Sequence, residues 1–174
     1  MIAHLGLGSN LGDRRAQLQA AVDALAQAGA AAGASAWPYE TDPVGEVLDQ
    51  PAFLNACLAV ETDLGPEALL DAAKAVEQEL GRTTAGPGYV RHGPRPIDVD
   101  VLLHAAGAYH SARLIVPHAA LMERRFVLIP LLELDFGLTT PDGVALADAL
   151  AALPVTEGVR RAGAPLTLPA AAAR

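Results

Sequence analysis

Cysteine is nearly absent from this chain: Cys57 stands alone in 174 residues. No disulfide can form within the chain, so packing must hold the fold, and a single thiol in an apolar segment reads as structural. Aromatic residues amount to only 4%, which leaves the core to alanine and aliphatic side chains and makes any aromatic beside polar motifs conspicuous. Basic residues are scarce too, 12 Lys and Arg against 20 Asp and Glu, for a formal net charge of −8. Phosphate backbones and anionic membranes demand clustered cations, so no nucleic-acid or membrane partner is expected, although a local cationic pocket stays possible. No apolar run reaches the roughly 18 residues of a membrane span; the Ala/Gly stretch over 24–36 comes nearest and is interrupted by Gly29 and Gly33. The first residues lack the basic segment of a secretory signal, and a soluble cytoplasmic protein is the expectation. There is no Gly-Lys-Ser/Thr phosphate loop, and Gly6-x-Gly8 lacks the third glycine of a dinucleotide fingerprint. A bound nucleotide would have to be held by side chains and metal.

The length suits one domain with a real core. Residues 2–7 read as a strand. Asp13 can cap a helix that starts near Arg14 and carries Leu18, Ala21, Val22 and Leu25 at helical spacing, with Gly29 and Gly33 ending it. A strand over 34–40 and a loop over 41–45 follow, then a second strand over 53–62. Pro66 opens a helix lined by Leu69, Leu70, Ala73, Val76 and Leu80, and Gly81 stops it. Residues 82–93 form a Gly-, Thr- and Pro-rich loop. A strand to about residue 103 leads through Ala106-Gly107 into a hairpin over 110–116. One helix is expected from Pro117-His118 through Phe126 to about residue 134, and a short one over 145–153. Residues 1–158 form a single domain on this reading, and 159–174 a loose tail. Strands and helices mix without regular βαβ alternation, which favours α+β with a mostly antiparallel sheet.

The densest chemistry is Gly93-Pro94-Arg95-Pro96-Ile97-Asp98-Val99-Asp100-Val101. Strand periodicity puts Ile97, Val99 and Val101 on one face and both carboxylates on the other. Two neighbouring acids repel unless solvent screens them or a cation sits between them, and Mg²⁺ favours one or two carboxylates plus phosphate oxygens. Arg82 precedes this stretch, Arg91 and Arg95 flank its Gly93-Pro94 turn, and Arg113, His118 and Arg124 follow, an unusual concentration in an acidic chain. Phosphoryl transfer asks for such groups: metal and arginines that hold and neutralise oxygens in line.

Together with Gly8-Ser9-Asn10, Tyr39-x-Thr41-x-Pro43-x-Gly45, Gln50-Pro51-x-Phe53-Leu54-Asn55-Ala56, Glu77 with Leu80-Gly81-Arg82, and Val116-Pro117-His118, this stretch resembles the 6-hydroxymethyl-7,8-dihydropterin pyrophosphokinases of folate biosynthesis. The resemblance covers residues 6–134. It implies a ferredoxin-like α+β fold and Mg-dependent transfer of pyrophosphate from ATP to the pterin, releasing AMP. Asp98 and Asp100 would hold two Mg²⁺ ions, and Arg82 and Arg95 would act on the phosphates. Thr41, Pro43, Val44, Phe53, Asn55 and Phe126 would form the pterin slot. Glu77, Arg82, Arg91, Arg95, Arg113, Ile115, His118 and Arg124 would contact ATP. Association with other folate enzymes is a further implied possibility.

The chain departs from the family at Phe53, often Tyr, and at His92, often Trp, and its closing loop lacks the usual basic residues. Two other readings stand beside the kinase: an inactive pterin- or nucleotide-binding module, motivated by that loop, and a metal-dependent nuclease, which the acidic balance disfavours.

Overall fold

The computed structural model describes residues 1–44, 47–86, 89–155 and 158–169. Gly45 of the motif over 41–45, Pro87 and Gly88 of the closing loop, and residues 170–174 of the expected tail lie outside the described residues.

Strand β1 (Ile2–Ser9) buries Ala3, Leu5 and Leu7 on one face. Helix α1 (Arg14–Gln27) starts where Asp13 accepts a hydrogen bond from Ala16 N at 3.0 Å, and it buries Leu18, Ala21, Val22 and Leu25 against that face. The expected 34–40 strand is two strands, β2 (Ala30–Ser35) and β3 (Tyr39–Thr41), separated at Trp37-Pro38. Pro38 has no N–H for a ladder. Gly33 therefore lies in β2, at a register shift, and only Gly29, with φ of 88°, ends the helix. Next come β4 (Phe53–Thr62), α2 (Pro66–Glu79) and β5 (Asp98–His104).

Two further expectations need correction. Residues 110–116 form no single strand: β6 (Tyr109–His110) and β7 (Ile115–Val116) pair with each other because Ser111 Oγ accepts from Arg113 N and Leu114 N, both at 3.1 Å, and folds the chain back. The expected helix over 117–134 is a 3₁₀ turn at Leu121–Glu123 followed by α3 (Arg125–Leu134); Arg124 between them is extended, with φ −119° and ψ 104°. Helix α4 (Leu146–Ala152) follows as expected.

All described strand pairings are antiparallel, in the order β5-β1-β4-β3-β8, where β8 is Val159–Arg161, with β2 also on β4. Helices α1 and α2 cover one face. On the other, Cys57 and Leu102 pack with Leu121, Leu128, Leu131 and Leu146 of the α3–α4 layer. The outer edge of β5 is closed largely by side chains: Val99 N donates to Glu77 Oε1 at 2.7 Å and Lys74 Nζ donates to Val99 O at 3.3 Å.

The segment after Gly158 is not loose through residue 169. Strand β8 (Val159–Arg161) pairs with β3, and Leu166, 4% exposed, joins the α1–α2 core. Arg15 donates to Ala164 O at 2.8 Å and Pro165 O at 3.1 Å, while Thr167 exchanges hydrogen bonds with the Gln19 side chain. Sequence periodicity misses this because short, Ala- and Pro-rich pieces carry no pattern. Leu166→Ala is expected to cost about 2–4 kcal/mol in urea unfolding; a loss below about 0.5 kcal/mol would mean that the segment contributes nothing to the core.

Candidate active site

The α3–α4 layer leaves one end of its sheet face uncovered, and the register gathers the site there. Asp98 lies beside Gly8, Gly8 beside Asn55, and Asn55 beside Tyr39; one step on, Asp100 lies beside Gly6 and Gly6 beside Cys57. The two glycines leave a floor without side chains. At Gly8 the space is already used: a Cβ would come within 2.8 Å of Asn55 Oδ1.

A cavity of about 270 Å³ stands on this floor, walled by Thr41, Val44, Phe53, Asn55, Phe126, His118, Arg124 and Asp100. A second, of about 430 Å³, runs under the loop after α2 and is lined by Arg82, Tyr89, Arg91 and Pro96 among others. The two cavities meet at His92, Arg95 and Asp98, which line both. Asp98 of the sequence-predicted pair thus sits where the two compartments join, and Asp100 lines the first beside it.

Charge is organised around Asp98. Arg82 Nη1 donates to Asp98 Oδ1, and Arg95 Nε donates to Asp98 Oδ2 at 2.9 Å. Arg82 also pairs with buried Glu77 at 2.7 Å, and Glu77 accepts from Lys74 Nζ at 2.7 Å. Burial would raise the Asp98 pKa, but Arg95, Arg82 and Lys74 outweigh it and hold the carboxyl down at about 2. Asp100 goes the other way: burial and the Asp98 charge push it up, against weaker pulls from His118, Lys74 and Arg124. Among the described residues no donor hydrogen-bonds to Asp100. A half-buried carboxylate without a donor, one strand step from another, is the arrangement a hard cation would complete. No third His, Cys, Asp or Glu among the described residues groups with them. That donor count suits Mg²⁺ shared with phosphate oxygens better than an all-protein cage.

On the opposite wall, Asn55 Nδ2 donates to Thr41 Oγ1 at 2.7 Å. This fixes the amide and leaves Asn55 Oδ1 over Gly8 as an acceptor facing the cavity. Phe53 and Phe126 both line the cavity, and the Arg95 guanidinium lies 4.8 Å above the Phe53 ring. Cys57, also on the lining, is 2% exposed, and burial drives its pKa upward, so it stays a thiol.

Several expected contact residues lie elsewhere. Arg113 is turned onto α2, paired with Glu67 at 3.1 Å and with Asp71. Ile115 is exposed on the β6–β7 hairpin, and Ile115, Glu77 and Pro43 line neither cavity. Glu77 instead holds Arg82 and the β5 edge. His118 and Arg124 line the first cavity, beside Asp100, rather than the second.

Sequence reasoning assigned no role to Asn10 or Lys74. Asn10 is 2% exposed; its amide donates to Gln50 Oε1 and Pro51 O, both at 3.0 Å, its Oδ1 accepts from Arg95 N at 2.8 Å, and its own N–H donates to Arg95 O at 3.2 Å. An Asn straight after a strand reads as ordinary turn chemistry, and only its long-range partners reveal the clamp. Lys74 follows α2's surface periodicity, so nothing local marks it.

Comparison with known proteins places these features. Residues 4–136 match the family model of 7,8-dihydro-6-hydroxymethylpterin-pyrophosphokinase (HPPK). A Pseudomonas aeruginosa 2-amino-4-hydroxy-6-hydroxymethyldihydropteridine pyrophosphokinase is 42% identical over 159 residues, 91% of this chain and 94% of that protein. The Bacillus subtilis protein of the same name is 45% identical over 134 residues, 76% and 77% of the two chains. A mitochondrial folate synthesis bifunctional protein of Arabidopsis thaliana is 39% identical over 150 residues, 86% of this chain but 26% of that protein. A crystallised HPPK-DHPS in complex with substrates shares the fold, with a TM-score of 0.68 at 14% identity over 86% of this chain and 42% of that one. This chain belongs to the 7,8-dihydro-6-hydroxymethylpterin-pyrophosphokinase family.

Proposed function

We propose that the two cavities divide the work of a folate-pathway pyrophosphokinase, the first holding 6-hydroxymethyl-7,8-dihydropterin and the second ATP. The observation that carries this is their junction: Arg95 and Asp98 line both compartments, so a pterin hydroxymethyl group and a polyphosphate chain can meet only beside the paired carboxylates. The reaction forms a bond from the hydroxymethyl oxygen to the β-phosphorus of ATP and breaks the bridge to the α-phosphate, so that AMP leaves.

Each residue's task follows from its chemistry. Asn55 Oδ1 accepts from the pterin's amide and amino edge, oriented by Thr41. Phe53 and Phe126 offer faces to a flat ring, with Thr41, Pro43 and Val44 as the adjoining loop. Asp98 and Asp100 would hold Mg²⁺, two ions on the family's pattern, and the chemistry supplied there would be neutralisation of polyphosphate charge. Arg82 and Arg95 turn from Asp98 to the polyphosphate oxygens as ATP arrives, Arg91 adds positive charge in the second cavity, and His118 and Arg124 face the junction from the first, beside Asp100. Glu77 keeps Arg82 at the junction, which is positioning rather than ATP contact.

The β-α-β-β-α-β succession, counting β2 and β3 as one broken strand, with the fourth strand beside the first, supports a ferredoxin-like reading of the sheet. No described helix is long and apolar enough to cross a membrane, and diffusible charged substrates fit a cytoplasmic setting. The bifunctional plant relative motivates association with another folate enzyme.

Mixing the protein with ATP, Mg²⁺ and the hydroxymethyl-dihydropterin should yield AMP and the pterin pyrophosphate; ADP as sole nucleotide product, or no turnover by folded protein, overturns the assignment. Asp98→Ala and Asp100→Ala should each lower kcat by about a hundredfold or more while pterin binding, read by fluorescence, persists. Near-normal rates in both variants would remove the metal from these residues.

The two pKa directions also set a pH dependence. Asp98, held low, stays ionised, whereas Asp100, held high, takes up a proton first as pH falls. The Mg²⁺ concentration for half-maximal rate should therefore rise as pH falls, and rise earlier than for an ordinary carboxylate pair, since metal and proton compete for Asp100. A flat profile would contradict this.

A further inference from the structure

Residues 158–169 lie beyond the stretch matched by the family model, yet they reach both walls of the first cavity from behind. Strand β8 pairs Val159 with Thr41, Arg160 with Glu40 and Arg161 with Tyr39. Ala162 N donates to Pro38 O at 2.8 Å. Hydrogen-bonded pairs alternate along an antiparallel ladder, so Glu40 and Arg160 form the next exchanging pair. Strand β3 is only three residues long, and Thr41 is both its last residue and the first of the Thr41–Val44 wall. Its hydroxyl fixes the Asn55 amide on the inner side; on the outer side the strand's partner is β8.

The side chains continue the same grip. Arg160 pairs with Asp42 at 3.3 Å and with Glu40 at 3.7 Å. Asp42 lines the cavity and follows Thr41 directly. Gly158 closes on the same carboxylate: a Cβ there would lie 2.3 Å from Asp42 Oδ2. Arg161 stacks 4.7 Å above Trp37 and pairs with Glu133 of α3, the helix that carries Phe126. Glu133 also accepts from Tyr39 Oη at 2.7 Å.

We propose that β8 is a positioning element of the pterin site, with Arg160 as its principal residue: it sets Thr41 and Asp42, and through Thr41 the acceptor geometry of Asn55, without touching substrate. The inference rests on the assignment of the first cavity to the pterin. Preorganising a short loop improves affinity by removing the cost of ordering it on binding, so the effect should fall on pterin and spare ATP.

The test is fluorescence titration with hydroxymethyl-dihydropterin, and separately with a non-hydrolysable ATP analogue and Mg²⁺, on wild type, Arg160→Pro and Arg160→Lys. Proline removes the Arg160 N–H, which the alternation turns toward Glu40, and so breaks the ladder at that pair, while Arg161 and Leu166 stay as anchors. Arg160→Pro should weaken pterin binding about tenfold and ATP-analogue binding less than about twofold, with hydrogen exchange faster at residues 39–44; Arg160→Lys, which keeps the backbone donor and the charge, should match wild type. Should Arg160→Pro not fold, Gly158→Ala, whose Cβ would displace the Asp42 carboxylate and the Arg160 guanidinium that pairs with it, should weaken pterin alone by about threefold. Pterin binding unchanged in a folded variant, or equal losses of both ligands, overturns the proposal. A wild-type protein that binds ATP but no pterin overturns the cavity assignment itself, and the positioning role with it.

Discussion

At the junction of the two cavities, one carboxylate is gripped by two guanidinium groups, and much of the site's geometry follows from that contact. Asp98 is ionised inside a protein because Arg82 and Arg95 take its two oxygens from opposite sides. The same contact ties the end of α2, through Glu77, and the loop returning to β5 to a single strand position. Removing one partner of such a cluster leaves the others buried and uncompensated, which is strongly unfavourable. The arrangement also fixes where the electrostatic cost falls. Asp98 takes the available donors, so Asp100 is left short of them and carries a raised affinity for the proton.

Much of this was legible in residue spacing. Helices α1 and α2 carry clear apolar stripes with a capping Asp13 and an opening Pro66, and β4 and β5 have strong strand patterns. The alternation across Ile97–Val101 placed two acids on one face without any knowledge of the fold. Other features depend on partners far along the chain. The Ala-rich β2 and three-residue β3 are not distinctive, and Pro38 breaks a strand only where it must join a ladder. Strand β8 is specified by β3 and by Arg161 meeting Trp37, neither visible locally. Arg113 shows the opposite limit: a basic residue in the right region of sequence pairs with Glu67 and Asp71 on α2, acids whose approach no local pattern announces.

Asn10 illustrates how a small side chain can organise a large site. It joins the end of β1, the segment before β4 and the backbone of Arg95 through four hydrogen bonds. Gln50, one of its partners, donates in turn to His92 O at 3.2 Å. His92 sits at φ 59°, a left-handed conformation sparsely used by residues other than glycine. It turns into Gly93, where a Cβ would strike Val90 at 2.8 Å. The loop therefore re-enters the junction on a hydrogen-bonded path, and the lining shared by the two cavities stands on one connected network.

The glycine floor has a consequence for what this enzyme can discriminate. Gly6 and Gly8 contribute backbone only, and that backbone is locked in the middle of a sheet between β4 and β5. Side-chain walls can swing between rotamers to fit a wider or narrower guest, but the glycines have no rotamers to change, and the space above them is already taken by the Asn55 amide at Gly8 and the Leu102 side chain at Gly6. The depth of the cavity is thus set largely by the ladder, while its width stays adjustable through Phe53 and Phe126. A group pushed toward the floor meets these two side chains and then backbone that cannot yield without breaking strand pairing. Thickness is limited at β1, and outline is left to the walls.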